Sequence, residues 1–314
     1  MRKVLKLAVL LLAAIAVIYG VFDFFFPLRF AEAALNAERS SAGLQRKETD
    51  IPGFHIVYLE GGQGRPLLLL HGFGADKDNW TRVSRYLTPR FHVYAVDLPG
   101  FGESPPVEDG ASADPSALAR AIADSLPGLG LEPRTVHVAG NSLGGWVALE
   151  MALAGDAATV TAIAPAGLWR RPLPPKPEVA RRLARAAAPI LPAVLSSSGG
   201  RRALLLGSMA HPERVPPKDA LALVRAYASA PGFTLVNRAM RAGTFKRLDE
   251  IEVPVTLVWP EHDRVVTRVN GTPERVRVID LPGCGHIPMW DDPKAVAQAL
   301  IDGSDGDGRA VGSE

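Results

Sequence analysis

The chain has 314 residues, 47% of them hydrophobic and 22% charged, with a formal net charge of +2. Such proportions exclude a disordered or fibrous chain, and the length suits one large domain with an insertion, or two small domains. A single cysteine, Cys284, excludes an intramolecular disulfide; the compartment stays open, because a core of this size needs no covalent staple.

Arg2, Lys3 and Lys6 precede Leu7 to Phe22, sixteen residues without a charge. Counted from Val4 to Phe26, the apolar stretch is long enough to cross a bilayer of about 30 Å as a helix. Basic residues ahead of it favour a cytoplasmic N-terminus and an exported body. The expectation is an uncleaved, single-pass anchor over 1–27 in the inner membrane, with the body periplasmic. The alternative is a cleaved signal peptide, with Ala31-Glu32-Ala33 as its small-residue site. Dimerisation through the anchor is left open, and no G-x-x-x-G supports it.

"LRFAEAALNAERSSAGL", residues 28–44, is rich in Ala, Leu and Glu and predicts a juxtamembrane helix that stops near Ser40 to Gly43. From there the pattern changes. "FHIVYLEGG", "RPLLLLHGFG", "FHVYAVDLPG", "TVHVAGNS" and "VTAIAPAG" are apolar runs that end in turns. Continuous runs of this kind fit strands buried on both faces of a parallel sheet. "NWTRVSRYL", "PSALARAIADSLPGL" and "GGWVALEMALAG" lie between them and read as helices, so the fold class is α/β, a mostly parallel central sheet flanked by helices. The alternation stops at Leu168 and resumes with "VPVTLVWPEHD" and "RVRVIDLPGCGH". We therefore expect a core over 50–167 and 248–302, a helical cap over 168–247, and a disordered Gly- and Asp-rich tail over 303–314. The cap holds about fifteen Lys or Arg against about three Asp or Glu. That asymmetry suits an anionic partner such as lipid headgroups, or else a solvated helical surface; no nucleic acid is expected.

Gly140-Asn141-Ser142-Leu143-Gly144 matches G-x-S-x-G, a weak pattern by itself. Here a strand-like run precedes it and a helix-like run follows, which is the strand-turn-helix of a nucleophile elbow. The glycines permit the sharp turn that exposes Ser142 Oγ. A serine hydroxyl needs a histidine base, and the base needs a carboxylate to hold its tautomer. In this architecture the order is serine, acid, histidine. Asp263 follows a strand by a short loop and is the expected acid, with Glu261 the lesser choice. His286 lies in the loop after the last strand and is the expected base. Of the other histidines, His55, His92 and His137 fall within strand-like runs, His71 opens a glycine loop as a hydrogen-bonder, His211 lies in the cap and His262 in an exposed loop. Backbone N–H groups of Leu143, after the nucleophile, and Phe73, in the loop after an early strand, are the expected oxyanion donors. Cys284 reads as a small buried neighbour of His286, not a nucleophile. No metal site and no cofactor are expected: H-E-x-x-H is absent and one cysteine cannot make a zinc cluster.

With "HGFG", "DLPGFGES", "GNSLGG", "WPEHD" and "GCGHIPMWDDP", the chain resembles the α/β-hydrolase superfamily over about Gly53 to Asp302. Pro260 departs from the glycine that many members carry and puts that loop's conformation in question. "HGFGADKDNWTRVSRYL", "APAGLW" and "AERSSAGL", with the anchor, narrow the likeness to membrane-anchored bacterial lipases and monoacylglycerol-lipase-like hydrolases. The resemblance implies serine carboxylester hydrolysis of acylglycerols, phospholipids or lysophospholipids. A C–C bond hydrolase, a thioesterase or an acyltransferase would use the same triad, and a tethered binding scaffold is the non-enzymatic alternative.

Overall fold

Eight apolar or amphipathic runs pair into one sheet in a computed structural model, which describes residues 32–51, 54–106, 113–268 and 271–305. The strands are β1 (Leu44–Ile51), β2 (Phe54–Gly62), β3 (Arg65–Leu70), β4 (Phe91–Val96), β5 (His137–Asn141), β6 (Thr159–Ile163), β7 (Val255–Pro260) and β8 (Arg277–Leu281). Their order is β1-β2-β4-β3-β5-β6-β7-β8. β2 runs antiparallel to both its neighbours, and the pairs from β4 to β8 are parallel. The Leu67–Leu70 side chains of β3 are all buried, as a strand covered on both faces requires.

On one face pack α3 (Pro115–Ser125) and α4 (Leu143–Ala154); on the other, α2 (Thr81–Leu87) and α10 (Pro293–Ser304). Nearly all of α4 is buried, consistent with its being apolar on every side. Between β6 and β7 lie α5 (Val179–Ala186), α6 (Leu191–Ser196), α7 (Ser198–Leu205), α8 (Pro217–Ser229) and α9 (Phe233–Ala242). This insertion has a small core of its own, centred on Leu191, Leu195, Leu205 and Met209.

Two boundaries differ from the sequence-based expectation. The helix before the sheet, α1, occupies 32–41 of the described residues, stopping within the expected Ser40 to Gly43, and Leu44 starts β1. The sheet therefore begins at Leu44 and not at residue 50. β1 escapes a reading by apolar runs because it is a charged edge strand, "LQRKETDI", whose polar side chains also guard the open edge. At the other end α10 continues to Ser304, past the expected core limit at 302. The expected anchor over 1–27 and most of the tail lie outside the described residues; among the described residues no helix is long and apolar enough to cross a membrane.

Candidate active site

Ser142 sits between β5 and α4 with φ 55° and ψ −112°, a conformation a non-glycine residue adopts at a cost of about 1–3 kcal/mol. Its backbone is held from both sides. The Ser142 amide donates to the Ile163 carbonyl (2.9 Å), and its own carbonyl accepts from Trp146 N (3.1 Å) and Ala166 N (2.9 Å). The turn closes because Gly140 and Gly144 carry no side chain. A Cβ on Gly140 would lie 2.1 Å from the Gly144 carbonyl oxygen, and one on Gly144 would lie 2.2 Å from that of Leu70.

Asp263 and His286 come from the loops after β7 and β8. His286 Nδ1 is 2.8 Å from Asp263 Oδ2, with both side chains buried. The other carboxylate oxygen accepts from Val265 N (2.7 Å) and Val266 N (2.9 Å), which fixes the acid's rotamer. An ionised Asp263 makes Nδ1 the protonated nitrogen and leaves Nε2 as the basic one. Glu261, the lesser candidate, is exposed and accepts from Gly283 N (2.8 Å). Pro260 ends β7 in register with Leu281, so the proline is accommodated within the strand pairing.

The loop after β3 approaches Ser142 closely: a Cβ on Gly72 would lie 3.4 Å from Ser142 Cβ. His71 holds this loop down. Leu98 N donates to His71 Nε2 (3.0 Å), so Nδ1 carries the proton and donates to the Gly72 carbonyl (2.8 Å). Full burial pushes its pKa below the ordinary histidine value, in keeping with a neutral ring. Asp97 does the same work one loop over, accepting from Lys77 N, Lys77 Nζ and Glu103 N at 2.7–2.8 Å. Among the described residues, the backbone N–H groups of Phe73 and Leu143 have no hydrogen-bond acceptor. The Phe73 ring packs against Phe101 and Phe233, the latter from the insertion.

Ser142, His286, Phe73 and Asn141 all line one cavity of about 120 Å³, closed over by Lys176, Ser208, Leu223 and Tyr227 of the insertion. The structure thus brings together Ser142, His286 with its partner Asp263, and the Phe73 loop. It keeps His55, His92 and His137 apart from them, bonded to Asp50, Glu60 and Thr159. Burial pushes the Cys284 thiol up to about 12, which makes it a poor thiolate source.

Sequence reasoning missed three residues here. Asn141 Nδ2 donates to the His286 carbonyl (2.9 Å), tying the elbow to the histidine loop. Asp291 accepts from Gly285 N (2.8 Å), Ala210 N (3.0 Å) and His211 N (2.8 Å), so one carboxylate joins that loop to the insertion. Lys176 has no carboxylate within ion-pair distance among the described residues; burial and the neighbouring Arg241 cation lower its pKa. Their signal was partly in view: "WDDP" follows the histidine, and Asn141 stands inside the elbow motif.

A family model described as the alpha/beta hydrolase family matches residues 67–299. An epoxide hydrolase, EphH of Mycobacterium tuberculosis, is 35% identical over 59% of this chain and 92% of its own length. Lipase 1 of Psychrobacter immobilis is 28% identical over 80% of this chain and 81% of its own. Among solved structures, a membrane phospholipase A described as a bacterial virulence factor superposes with a TM-score of 0.75 at 32% identity. That superposition covers 98% of this chain and 99% of the other.

Proposed function

The chain belongs to the alpha/beta hydrolase family, and on that premise we propose that it cleaves acyl esters of lipids through an acyl-enzyme on Ser142. The observation that carries this reading is the shared cavity: a serine on a strained turn and a histidine backed by a buried carboxylate line the same small space. Ser142 Oγ attacks the ester carbonyl while His286 Nε2 takes its proton. Asp263 stabilises the imidazolium, and the Phe73 and Leu143 N–H groups hold the developing oxyanion. His286 then returns the proton to the leaving alcohol, and water hydrolyses the acyl-enzyme by the same route. Kinship with a lipase and a membrane phospholipase A supports a lipid ester and a membrane setting, with residues 4–26 as the anchor. The epoxide-hydrolase likeness is met by the residue at the elbow: covalent epoxide opening calls for a carboxylate nucleophile, and position 142 is serine.

The deciding assay is hydrolysis of an acyl-ester series, short to long and including monoacylglycerol and phospholipid, by detergent-purified protein beside Ser142→Ala. Wild type turns over esters and the variant loses about a thousandfold or more in rate, the scale of removing a triad member. Equal inertness of both proteins on esters, with turnover of thioesters or C–C substrates, would overturn the ester reading.

Lys176 favours esters bearing an anionic group over neutral monoacylglycerol, since an unpaired ammonium beside a cavity is stabilised by an anion. Lys176→Met should lower the preference for lysophosphatidylglycerol over monoacylglycerol of the same chain by about tenfold, the value of a hydrogen bond to a charged group. The change should fall in KM; an unchanged ratio removes Lys176 from substrate selection.

A further inference from the structure

Helices α5 and α7 of the insertion each bury an arginine, while Leu191, Leu195 and Leu205 of α6 and α7 fill the insertion's small core. On α5, Arg181 is buried and donates to the carbonyls of Ala228 (3.1 Å) and Ala230 (2.7 Å), and Arg185 donates to Ala228 (2.7 Å). Both arginines thereby satisfy the orphan carbonyls at the C-terminus of α8. On α7, Arg201 is buried likewise, donating to Leu195 and Ser196 at the end of α6 (2.8 and 2.9 Å). While these cations turn inward, other apolar side chains of the same stretch face out. Val179 and Leu183 are 61% and 63% exposed, Ile190 60%, Leu204 49% and Val194 36%. Five of the eight exposed large hydrophobic residues among the described ones lie between positions 179 and 204. Scattered exposed leucines need no explanation; here five large apolar side chains are exposed within the single stretch 179–204 of the insertion.

The charge around this face says what covers it. From Val179 to Pro212 the chain has five arginines and no acidic residue. Arg182 and Arg202 stay exposed, each with only a long ion pair at 3.5–3.6 Å. A second copy seated face to face would set these arginines against their own kind. An anionic lipid surface instead offers acyl chains to the leucines and headgroups to the arginines. Lys176 and Ser208, which flank the stretch in sequence, both line the Ser142 cavity. Docking would therefore bring the bilayer beside the cavity's cover.

We propose that the outward face of α5, α6 and α7 is an interfacial docking surface for an anionic lipid leaflet, carrying Val179, Leu183, Ile190, Val194 and Leu204 into the headgroup layer with Arg182 and Arg202 on phosphates. The idea rests on the lipid-ester reading for its purpose but not for its geometry.

The experiment uses the full chain reconstituted into vesicles, so that any N-terminal anchoring is common to every sample. Because Cys284 is buried, a polarity-sensitive dye can be placed on Leu183→Cys, on Ile190→Cys, and on Glu132→Cys, an exposed control in the turn before β5. In vesicles of phosphatidylcholine with phosphatidylglycerol, dye at 183 and 190 should shift blue and be quenched by spin-labelled acyl chains. Dye at 132 should stay aqueous. Phosphatidylcholine alone, or salt raised to about 1 M where screening shrinks to about 3 Å, should reverse the shift. Combined Arg182→Gln and Arg202→Gln should lower the docked-to-undocked ratio about tenfold or more, at about fivefold per arginine. The proposal is overturned if positions 183 and 190 stay as aqueous as 132 in both vesicle types. It is also overturned if they are shielded in vesicles without being quenched by the spin-labelled acyl chains, which would mean that a second copy or another part of the chain covers them. Turnover of a soluble short-chain ester, measured in the same samples, keeps the two readings separable. Hydrolysis with aqueous probes sinks the docking face alone, and docked probes without hydrolysis sink the esterase alone.

Discussion

A serine at φ 55° persists only where its surroundings leave it no alternative, and at Ser142 those surroundings are backbone. The Gly144 contact makes this testable. A methyl group there would meet the Leu70 carbonyl at 2.2 Å, an atom of the central strand that cannot swing aside. Gly144→Ala should therefore cost about 1–3 kcal/mol or more. It should lower the melting temperature by several degrees, at about 2–4 °C per kcal/mol for a domain of this size, and should depress ester turnover by displacing Ser142. Wild-type melting and turnover in that variant would show that the turn has room to spare. At this scale the sequence was informative, because an elbow is written in adjacent residues. Asn141 was opaque for the opposite reason: its amide matters only once the histidine loop has folded beside it, far along the chain.

The loop after β8 and the strand-to-strand insertion meet at Asp291, whose carboxylate serves three N–H groups on these two elements. It touches no reacting atom and acts through the position of His286. Asp291→Ala leaves those donors unpaired, at about 1–3 kcal/mol for each that stays buried. Movement of the histidine loop by about 1 Å would cost up to about a hundredfold in rate. The expected signature is a fall in kcat with KM little changed, partly restored by Asp291→Asn, which keeps one acceptor oxygen for Gly285 and Ala210. A loss of stability with kcat intact would reduce Asp291 to a structural tie. The insertion's helices show how far an element can hide its role. The α5 sequence "VARRLARA" is amphipathic either way round, and only the carbonyls at the end of α8 decide that Arg181 and Arg185 turn toward them.

For the whole molecule, the neutral, fully buried His71 couples stability to pH. Its folded-state pKa lies below the ordinary value near 6.5, so the unfolded chain binds the proton first as pH falls. The stability it contributes is complete above about pH 6.5 and is lost below it, by at most about 1.4 kcal/mol per pH unit from this one group. Denaturant titrations at pH 7, 6 and 5 should show that decline, and His71→Gln, less stable at pH 7, should show a shallower one. Identical slopes would mean that His71 charges without penalty. The sequence by itself determined the α/β alternation, the position of the helical insertion, the elbow at Ser142 and the order in which an acid and a base follow it. Each of these is encoded in contiguous residues, through apolar period and turn chemistry. Tertiary structure alone decided that the charged stretch after Gly43 is an edge strand, that Asp263 rather than Glu261 reaches His286, that Asn141 and Asp291 hold the histidine loop, and that α5 and α7 turn Leu183 and Leu204 outward. Those outcomes depend on hydrogen-bond partners tens to hundreds of residues away, which no local pattern in the chain records.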